Sequence, residues 1–319
     1  MAVEVTRHRF EVKGRNEGRR IDAYLAARFT DCSRSYFQRL LKAGKILVNG
    51  RAVKASSSLR NADVVEVDVA IDRPEPPAAE DIPLDILYED EDLVVINKPP
   101  GIVVHPSRGH SGGTLVNALL HHCRDLPSER AGIVHRLDKD TSGCLVACKD
   151  DAIRFRIATQ FERREVRKTY LALVEGNPEL DAGIMKHAIG HHPKERKMMA
   201  VRREGRPAET SYQVLERFGS FSWLQLAPKT GRTHQIRVHV AAIGHPVAPD
   251  LRYGRRDRLT LADVTGKEKD AKTVLLDRQG LHAFRLEFAH PRTGRRLGIE
   301  APLPADLAKT LAAFRKHRL

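Results

Sequence analysis

The chain is poor in cysteine and in aromatic residues, carries fewer acids than bases, and has no long apolar run. Its four cysteines, Cys32, Cys123, Cys144 and Cys148, lack the paired spacing of a zinc site and are too few among 319 residues for a disulfide framework. All four are expected as reduced thiols, with Cys144 and Cys148 packed on or beside a buried strand. No apolar stretch approaches the roughly 20 residues of a membrane-spanning helix. Residues 1–10 hold no continuous apolar segment and do not read as a secretory signal, so a cytoplasmic location is expected.

What the chain has instead is positive charge. Its 55 lysines and arginines against 41 aspartates and glutamates leave a formal net charge of +14, which favours a polyanionic partner, most often nucleic acid. A solvated basic surface gives the same total, so the distribution matters more. Residues 1–70 carry 14 basic against 8 acidic side chains, and residues 71–92 carry one arginine against nine acids. Two basic bodies thus flank an acidic connector, as expected if both bodies meet phosphates and the connector does not.

Local patterning divides the chain in the same places. In residues 1–70, Ile21, Tyr24, Leu25 and Phe29 recur at helical spacing. Ser33 then stands as the cap of a second helix with the apolar face Tyr36, Phe37, Leu40 and Leu41, ended by Gly44. Ile46-Leu47-Val48, the hairpin signal Asn49-Gly50 and a strand over 64–69 follow. Residues 71–83, with Pro74, Pro76, Pro77 and Pro83, read as an acidic, semi-rigid linker.

The second body, residues 84–319, alternates short strands irregularly with a few helices. Strands are expected at 93–98, 133–137, 145–148, 170–174, 223–226 and 284–288, and helices at 114–121, 151–161 and 234–243. The pattern predicts an α+β fold: a mixed, mainly antiparallel sheet with peripheral helices, preceded by a small αα-β domain. Residues 255–280 are polar and charge-rich and read as a surface insertion.

The most informative stretch is Gly132-Ile133-Val134-His135-Arg136-Leu137-Asp138-Lys139-Asp140-Thr141-Ser142-Gly143. An apolar run ends in a cation, a carboxylate and a Thr-Ser-Gly turn, the way a strand delivers one acid, Asp138, to the rim of a cleft. Residues 166–174 put the phenol of Tyr170 at the start of a strand. Residues 230–239 put a Gly turn before a short basic helix that holds Thr233, His234 and Arg237, and Leu281-His282-Ala283 is a further short motif. Singly, each has an ordinary explanation: Asp138 caps a turn with Thr141 and Ser142, Tyr170 faces a core, Arg237 is a solvated helix charge. His121, His122, His187, His191, His192, His234 and His239 form no compact ligand set with carboxylates or thiols, so no metal site is expected.

Together and in order, His-Arg-Leu-Asp-Lys-Asp-Thr-Ser-Gly at 135–143, Arg-Lys-Thr-Tyr-Leu-Ala-Leu-Val at 167–174, Gly-Arg-Thr-His-Gln-Ile-Arg-Val-His at 231–239 with Gly244-His245-Pro246-Val247, and Leu-His-Ala at 281–283 resemble the RluA family of pseudouridine synthases. Residues 18–69 resemble the alpha-L (S four-type) RNA-binding module, which points to the RluC/RluD-like branch acting on large-subunit (23S) ribosomal RNA. The resemblance implies an isomerase that converts specific uridines to pseudouridine, with RNA as partner and no metal or small-molecule cofactor; a monomer is expected. The base must be detached, turned and rejoined through carbon, so its nucleotide has to leave the stack first.

By that resemblance Asp138 is the catalytic carboxylate, attacking the sugar carbon or the pyrimidine ring, or assisting formation of a glycal. Nucleophilic work needs it ionised, so a cation is expected beside it, and Arg237 matches the residue that pairs with it. Tyr170 stacks on the flipped base, Arg136 fills the gap the base leaves, and Leu281 forms part of an apolar floor. Thr233 and His234 are expected to contact substrate, with His282 near the cleft, and Arg34, Arg39, Lys42 and Lys45 to line a second helix as an RNA-binding face. The chain departs from the family pattern at Ala248-Pro249-Asp250, where a Gly usually precedes the Asp, and in the insertion from Arg255. Two rival readings are a catalytically inactive ribosomal-RNA-binding assembly factor on the same fold, and a metal-dependent nuclease using Asp138 and Asp140. Intact Asp138, Tyr170 and Arg237 weigh against the first, and the lack of a further carboxylate motif against the second.

Overall fold

A computed structural model describes residues 4–29, 32, 34–71, 77–106, 112–123, 126, 132–195 and 197–317. The chain divides into two compact units, Met1–Glu75 and Pro76–Leu319. The first runs β1 (Glu4–Glu11), α1 (Ile21–Arg28), α2 (Arg34–Lys42), β2 (Ile46–Val48), β3 (Arg51–Ala52) and β4 (Val64–Ile71). Its sheet has the order β1-β4-β2-β3, antiparallel throughout. The helices lay Ile21, Tyr24, Leu25, Phe37 and Leu41 on Ile46, Val65, Val67 and Val69 in one closed core. Asn49 and Gly50 take φ of 51° and 74°, the left-handed pair that a tight two-residue hairpin requires. The expected Ser33 cap lies outside the described residues, as do Pro74 and Pro76. Buried Asp22 ties the helices together, accepting hydrogen bonds from Arg20, Arg34 and Gln38. Those bonds, with Arg20 contributing most against the cost of burial, hold its carboxyl well below the usual range.

The second unit runs β5 (Ile86–Glu89), β6 (Leu93–Lys98), α3 (Leu115–His122), β7 (Ser142–Cys148), α4 (Asp151–Glu162), β8 (Arg167–Glu175), β9 (Ala182–Met185), β10 (Ile189–His191), β11 (Met199–Val201), β12 (Thr210–Arg217) and β13 (Phe221–Pro228). It continues through α5 (Gln235–Ala242), β14 (Leu259–Thr260), α6 (Leu261–Thr265), β15 (Val274–Leu276), β16 (Leu281–Ala289), β17 (Arg296–Glu300) and α7 (Ala305–Lys316). Nine strands form one sheet in the order β5-β6-β7-β16-β8-β13-β12-β9, with β17 on β16. Every pairing in it is antiparallel except β7 with β16.

Helices cover both faces of this sheet, and the strand patterns say why. On β6, Val94 and Ile96 pack with Leu115 and Leu119 of α3, while Leu93 and Val95 pack with Ile153 and Ile157 of α4. A strand apolar on both sides is what a doubly covered sheet demands. Further along, Ile236 and Val240 of α5 meet Val174, Leu224 and Leu226. Leu307, Leu311 and Phe314 of α7 meet Phe221 and Trp223. Each such side chain contributes about 1.5–3 kcal/mol by leaving water.

Three expectations need correcting. Residues 133–137 are not a strand: Ile133 makes a single bridge to Ala147 and the backbone then runs irregularly to Asp138. His135 Nε2 accepts the Val146 N–H at 3.1 Å, so a side chain occupies the edge of β7 that a neighbouring strand would use. Thr141-Ser142-Gly143 is not a turn either; the turn is Lys139-Asp140, closed by Thr141 N–H to Asp138 carbonyl at 3.1 Å, and Ser142 opens β7. Residues 255–280 are not merely a surface insertion. Leu259 and Leu276 are fully buried beside Leu307 and Leu311, and β14 pairs with β15.

Candidate active site

The loop before β7, the strand β8, the start of β16 and the first turn of α5 open onto a cleft of about 570 Å³ lined by Asp138, Tyr170, Arg237, Leu281 and their neighbours. Its construction begins with Gly143. This residue holds φ at 111°, and a Cβ there would sit 2.2 Å from the Ala283 carbonyl oxygen. Only glycine lets β7 and β16 close in parallel and set the turn bearing Asp138 beside the strand bearing Leu281. Below the turn lies fully buried Lys98, whose Nζ donates to the carbonyls of Pro99, Ile102 and Lys139 at 2.7, 2.9 and 2.9 Å. Burial pulls its ammonium down to about 7, with the nearby charges acting secondarily.

Arg237 comes from the first turn of α5. Gln235 anchors that turn: its amide donates to the Glu209 carbonyl and Thr210 Oγ1, both at 2.9 Å, and its oxygen accepts from Thr230 Oγ1 at 2.7 Å. Arg237 Nη1 donates to Asp138 Oδ2 at 2.9 Å. Its other edge forks onto Asp250, Nε to Oδ2 at 2.6 Å and Nη2 to Oδ1 at 2.9 Å. One guanidinium therefore joins two carboxylates, with Arg237 and Asp250 buried and Asp138 open to the cleft. Burial works against the Arg237 charge, yet the bonds and charge of Asp250, then of Asp138, lift its pKa above its usual value.

Tyr170 rises from β8 and packs on both cores that meet at the cleft. Burial, then the Asp138 charge, pushes its phenol well above 10. Leu281 is 4% exposed and supplies apolar lining. Arg136 and Thr233 are exposed at the cleft wall. His234 precedes α5 with a left-handed φ of 55°, its Nε2 3.8 Å from Asp138 Oδ1. Burial keeps it below the usual imidazole value although Asp138 opposes this. Lys168, drawn down to about 8 by burial, donates to the Thr230 carbonyl at 3.0 Å. With Arg164, Arg206, Lys229 and Arg232 it makes the wall strongly positive.

His282 is not at the cleft. It lies fully buried between Ser142 Oγ at 2.9 Å and the Ala301 carbonyl at 3.2 Å, clamping β7 to β16. In the first unit Arg34 spends one guanidinium edge, Nε and Nη2, on Asp22, and Lys45 lies beyond the end of α2 rather than along it. Arg39, Lys42 and Lys45 are exposed, with no carboxylate within 4.0 Å among the described residues. Among the described residues two groups of side chains have metal-ligand spacing, Glu89-His122-Cys123 and Asp90-Asp92-His290; neither includes Asp138 or Asp140. In the second, Asp92 already receives Arg292 and Asp90 receives His290.

Sequence reasoning missed Asp250 as a partner of Arg237, and it missed Lys98, Lys168 and Tyr253. An arginine placed to steady one acid in a dry site calls for a second carboxylate, and Asp250 is the acid nearest α5 in the chain beyond it. Lys98, directly before Pro99-Pro100-Gly101, marked a turn with a charge that had to be housed.

A family model described as RNA pseudouridylate synthase matches residues 92–242, and one described as S4 domain matches residues 19–65. An uncharacterized RNA pseudouridine synthase of Bacillus subtilis, YlyB, is 44% identical over 93% of this chain and 95% of its own length. The ribosomal large subunit pseudouridine synthase D of Nitrosomonas europaea is 44% identical over 93% and 85%. Among solved structures, human RNA pseudouridylate synthase domain containing 4 matches with TM-score 0.58 and 27% identity, covering 72% of this chain and 93% of that one.

Proposed function

The chain belongs to the RNA pseudouridylate synthase family, and from that premise we propose that it isomerises specific uridines of large-subunit ribosomal RNA to pseudouridine at Asp138. The observation that carries this reading is the shared guanidinium. Arg237 is fixed by Asp250 on one side and presents its remaining edge to Asp138 on the other, so the acid waits oriented in a cleft with a basic wall. Such preorganisation is how an enzyme lowers a barrier without reorganising at the moment of reaction.

In this reading the flipped uridine enters with its base against Tyr170 and Leu281. Stacking on an aromatic ring contributes about 1–3 kcal/mol per base. Asp138 then acts at the sugar or the ring, or assists glycal formation. Arg136 reaches into the space the base has left, and Thr233 and His234 contact the nucleotide. Lys168 and the arginines of the wall offer charge to the flanking phosphates. Arg39, Lys42 and Lys45 hold structured RNA through an RNA-binding domain proposed to span residues 1–70, which the acidic segment 71–83 joins to a catalytic domain proposed to span 84–319. The enzyme is proposed to work in the cytoplasm as a monomer without metal or cofactor.

Incubation with uridine-tritiated, modification-free ribosomal RNA tests the reaction class. Tritium release from the base carbon, insensitive to chelator and without strand cleavage, is expected. Binding without release would favour an assembly factor, and chelator-sensitive cleavage a nuclease.

A further inference from the structure

The Asp138 cleft contains a hydrogen-bond chain that the roles above leave unused. Tyr253, in the loop after Asp250, accepts the Met199 backbone N–H on its phenol oxygen at 2.9 Å and lies 2.7 Å from His234 Nδ1. A phenol has one proton. With its oxygen already accepting from Met199, the arrangement that uses every donor places that proton on the bond to His234. Nδ1 then accepts, and Nε2 carries the imidazole hydrogen. Nε2 faces Asp138 Oδ1 across 3.8 Å, beyond hydrogen-bond reach. It is a donor aimed into the cleft with no acceptor within 3.5 Å among the described residues.

The position is imposed rather than accidental. His234 holds a left-handed backbone, a conformation uncommon outside glycine and a frequent mark of a constrained site. The Tyr253 ring stands edge-on to the imidazole with centroids 5.6 Å apart, and its face carries the Arg237 guanidinium 4.9 Å from the centroid. One phenol thus touches both neighbours of Asp138.

We propose that neutral His234 donates its Nε2–H to a carbonyl oxygen of the flipped uracil as the glycosidic bond breaks, and that Tyr253 is the positioning residue that puts the proton there. The inference rests on the pseudouridine synthase reading. Breaking C1′–N1 leaves the bonding pair on the uracil, spread over N1 and the two carbonyl oxygens, while C1′ bonds to Asp138 or the Asp138 carboxylate takes a proton from C2′ to leave a glycal. On rejoining, the uracil pair forms C5–C1′, Asp138 departs with its own pair or C2′ regains its proton, C5 loses a proton and N1 gains one. The anionic uracil is the species that a fixed N–H aimed at the base stabilises most. A neutral imidazole does this without the charge that would close on Asp138 and block it.

Single-turnover tritium release from a [5-³H]uridine transcript of large-subunit ribosomal RNA, with affinity for the transcript measured in parallel, tests the donor. His234→Phe is expected to lose about 100-fold or more in rate with affinity changed less than about threefold, and His234→Gln, which keeps a side-chain N–H, to recover about tenfold. Imidazole ¹⁵N spectra test the positioning independently of turnover: wild-type His234 is expected as the Nε2–H tautomer and Tyr253→Phe as a mixture. A His234→Phe rate within about threefold of wild type overturns the donor role while leaving the parent reading intact. A wild-type proton on Nδ1 overturns the positioning role, and a wild-type protein inert on the transcript overturns donor and parent reading together.

Discussion

Arg237 is the residue around which the cleft is assembled, because it satisfies buried Asp250 with two bonds and still has one N–H for Asp138. Asp250→Asn keeps the shape and removes the charge that fixes the guanidinium. Single-turnover rates are expected to fall about 10- to 100-fold, with RNA affinity nearly unchanged, since small misplacements of a reacting group cost on this scale. Lys168 gives a pH signature. Its ammonium is lowered to about 8 by burial, so its charge is present below that pH and fades above it. RNA affinity is expected to weaken roughly three- to tenfold between pH 7 and pH 9, and Lys168→Met to be flat across that range at the weaker value. The convergence of Asp138, Tyr170 and Arg237 was legible because each sits in a contiguous motif of chemistry-bearing residues. Asp250 was visible only as part of a departure from the family pattern, because a fork closing over thirteen residues leaves no local periodicity.

At the level of elements, helical spacing of apolar residues exposed α1 and α2, which bury Ile21, Tyr24 and Leu25, and Phe37 and Leu41, whereas α5 buries six consecutive residues, Gln235 to Val240, and has no one-sided apolar face. Irregular backbone held by side chains was not exposed. The apolar run 133–137 reads as a strand, yet His135 takes the β7 edge for itself, and its burial against the Lys168 charge leaves it neutral down to about 3. β1 had no clear signal because Arg7, His8 and Arg9 interrupt alternation along a strand defined by its long ladder with β4. Gly143 is the point where element geometry and site meet. Gly143→Ala must push the Ala283 carbonyl away at a φ unsuited to a side chain. A loss of at least about 2–3 kcal/mol in denaturant unfolding of the second unit is expected, together with a fall in turnover. An unchanged midpoint would show that β7 and β16 close without this contact.

On the scale of the whole molecule, the fold class was readable from the mixture of short strands and few helices, while charge alone led to an expected acidic connector at 71–83 and the chain divides between Glu75 and Pro76. The packing of residues 255–280 was not readable, because the short apolar stretches around Leu259 and Leu276 sit among charged residues and find their core only with α7. The first unit presents Arg39, Lys42 and Lys45 without carboxylate partners among the described residues. Replacing all three with glutamine is expected to reduce the slope of log affinity against log salt by about 2 to 3, because each lost phosphate contact removes about 0.7–0.9. Asp22 and its arginines are untouched by that change, so the unit should stay folded. The measurement that bears most directly on the isomerase reading is single-turnover tritium release by wild type and Asp138→Asn on the same [5-³H]uridine ribosomal transcript, with binding followed in parallel. Release by wild type and none by Asp138→Asn, at affinities within about threefold of each other, is the expected result. Retained release by Asp138→Asn would contradict it.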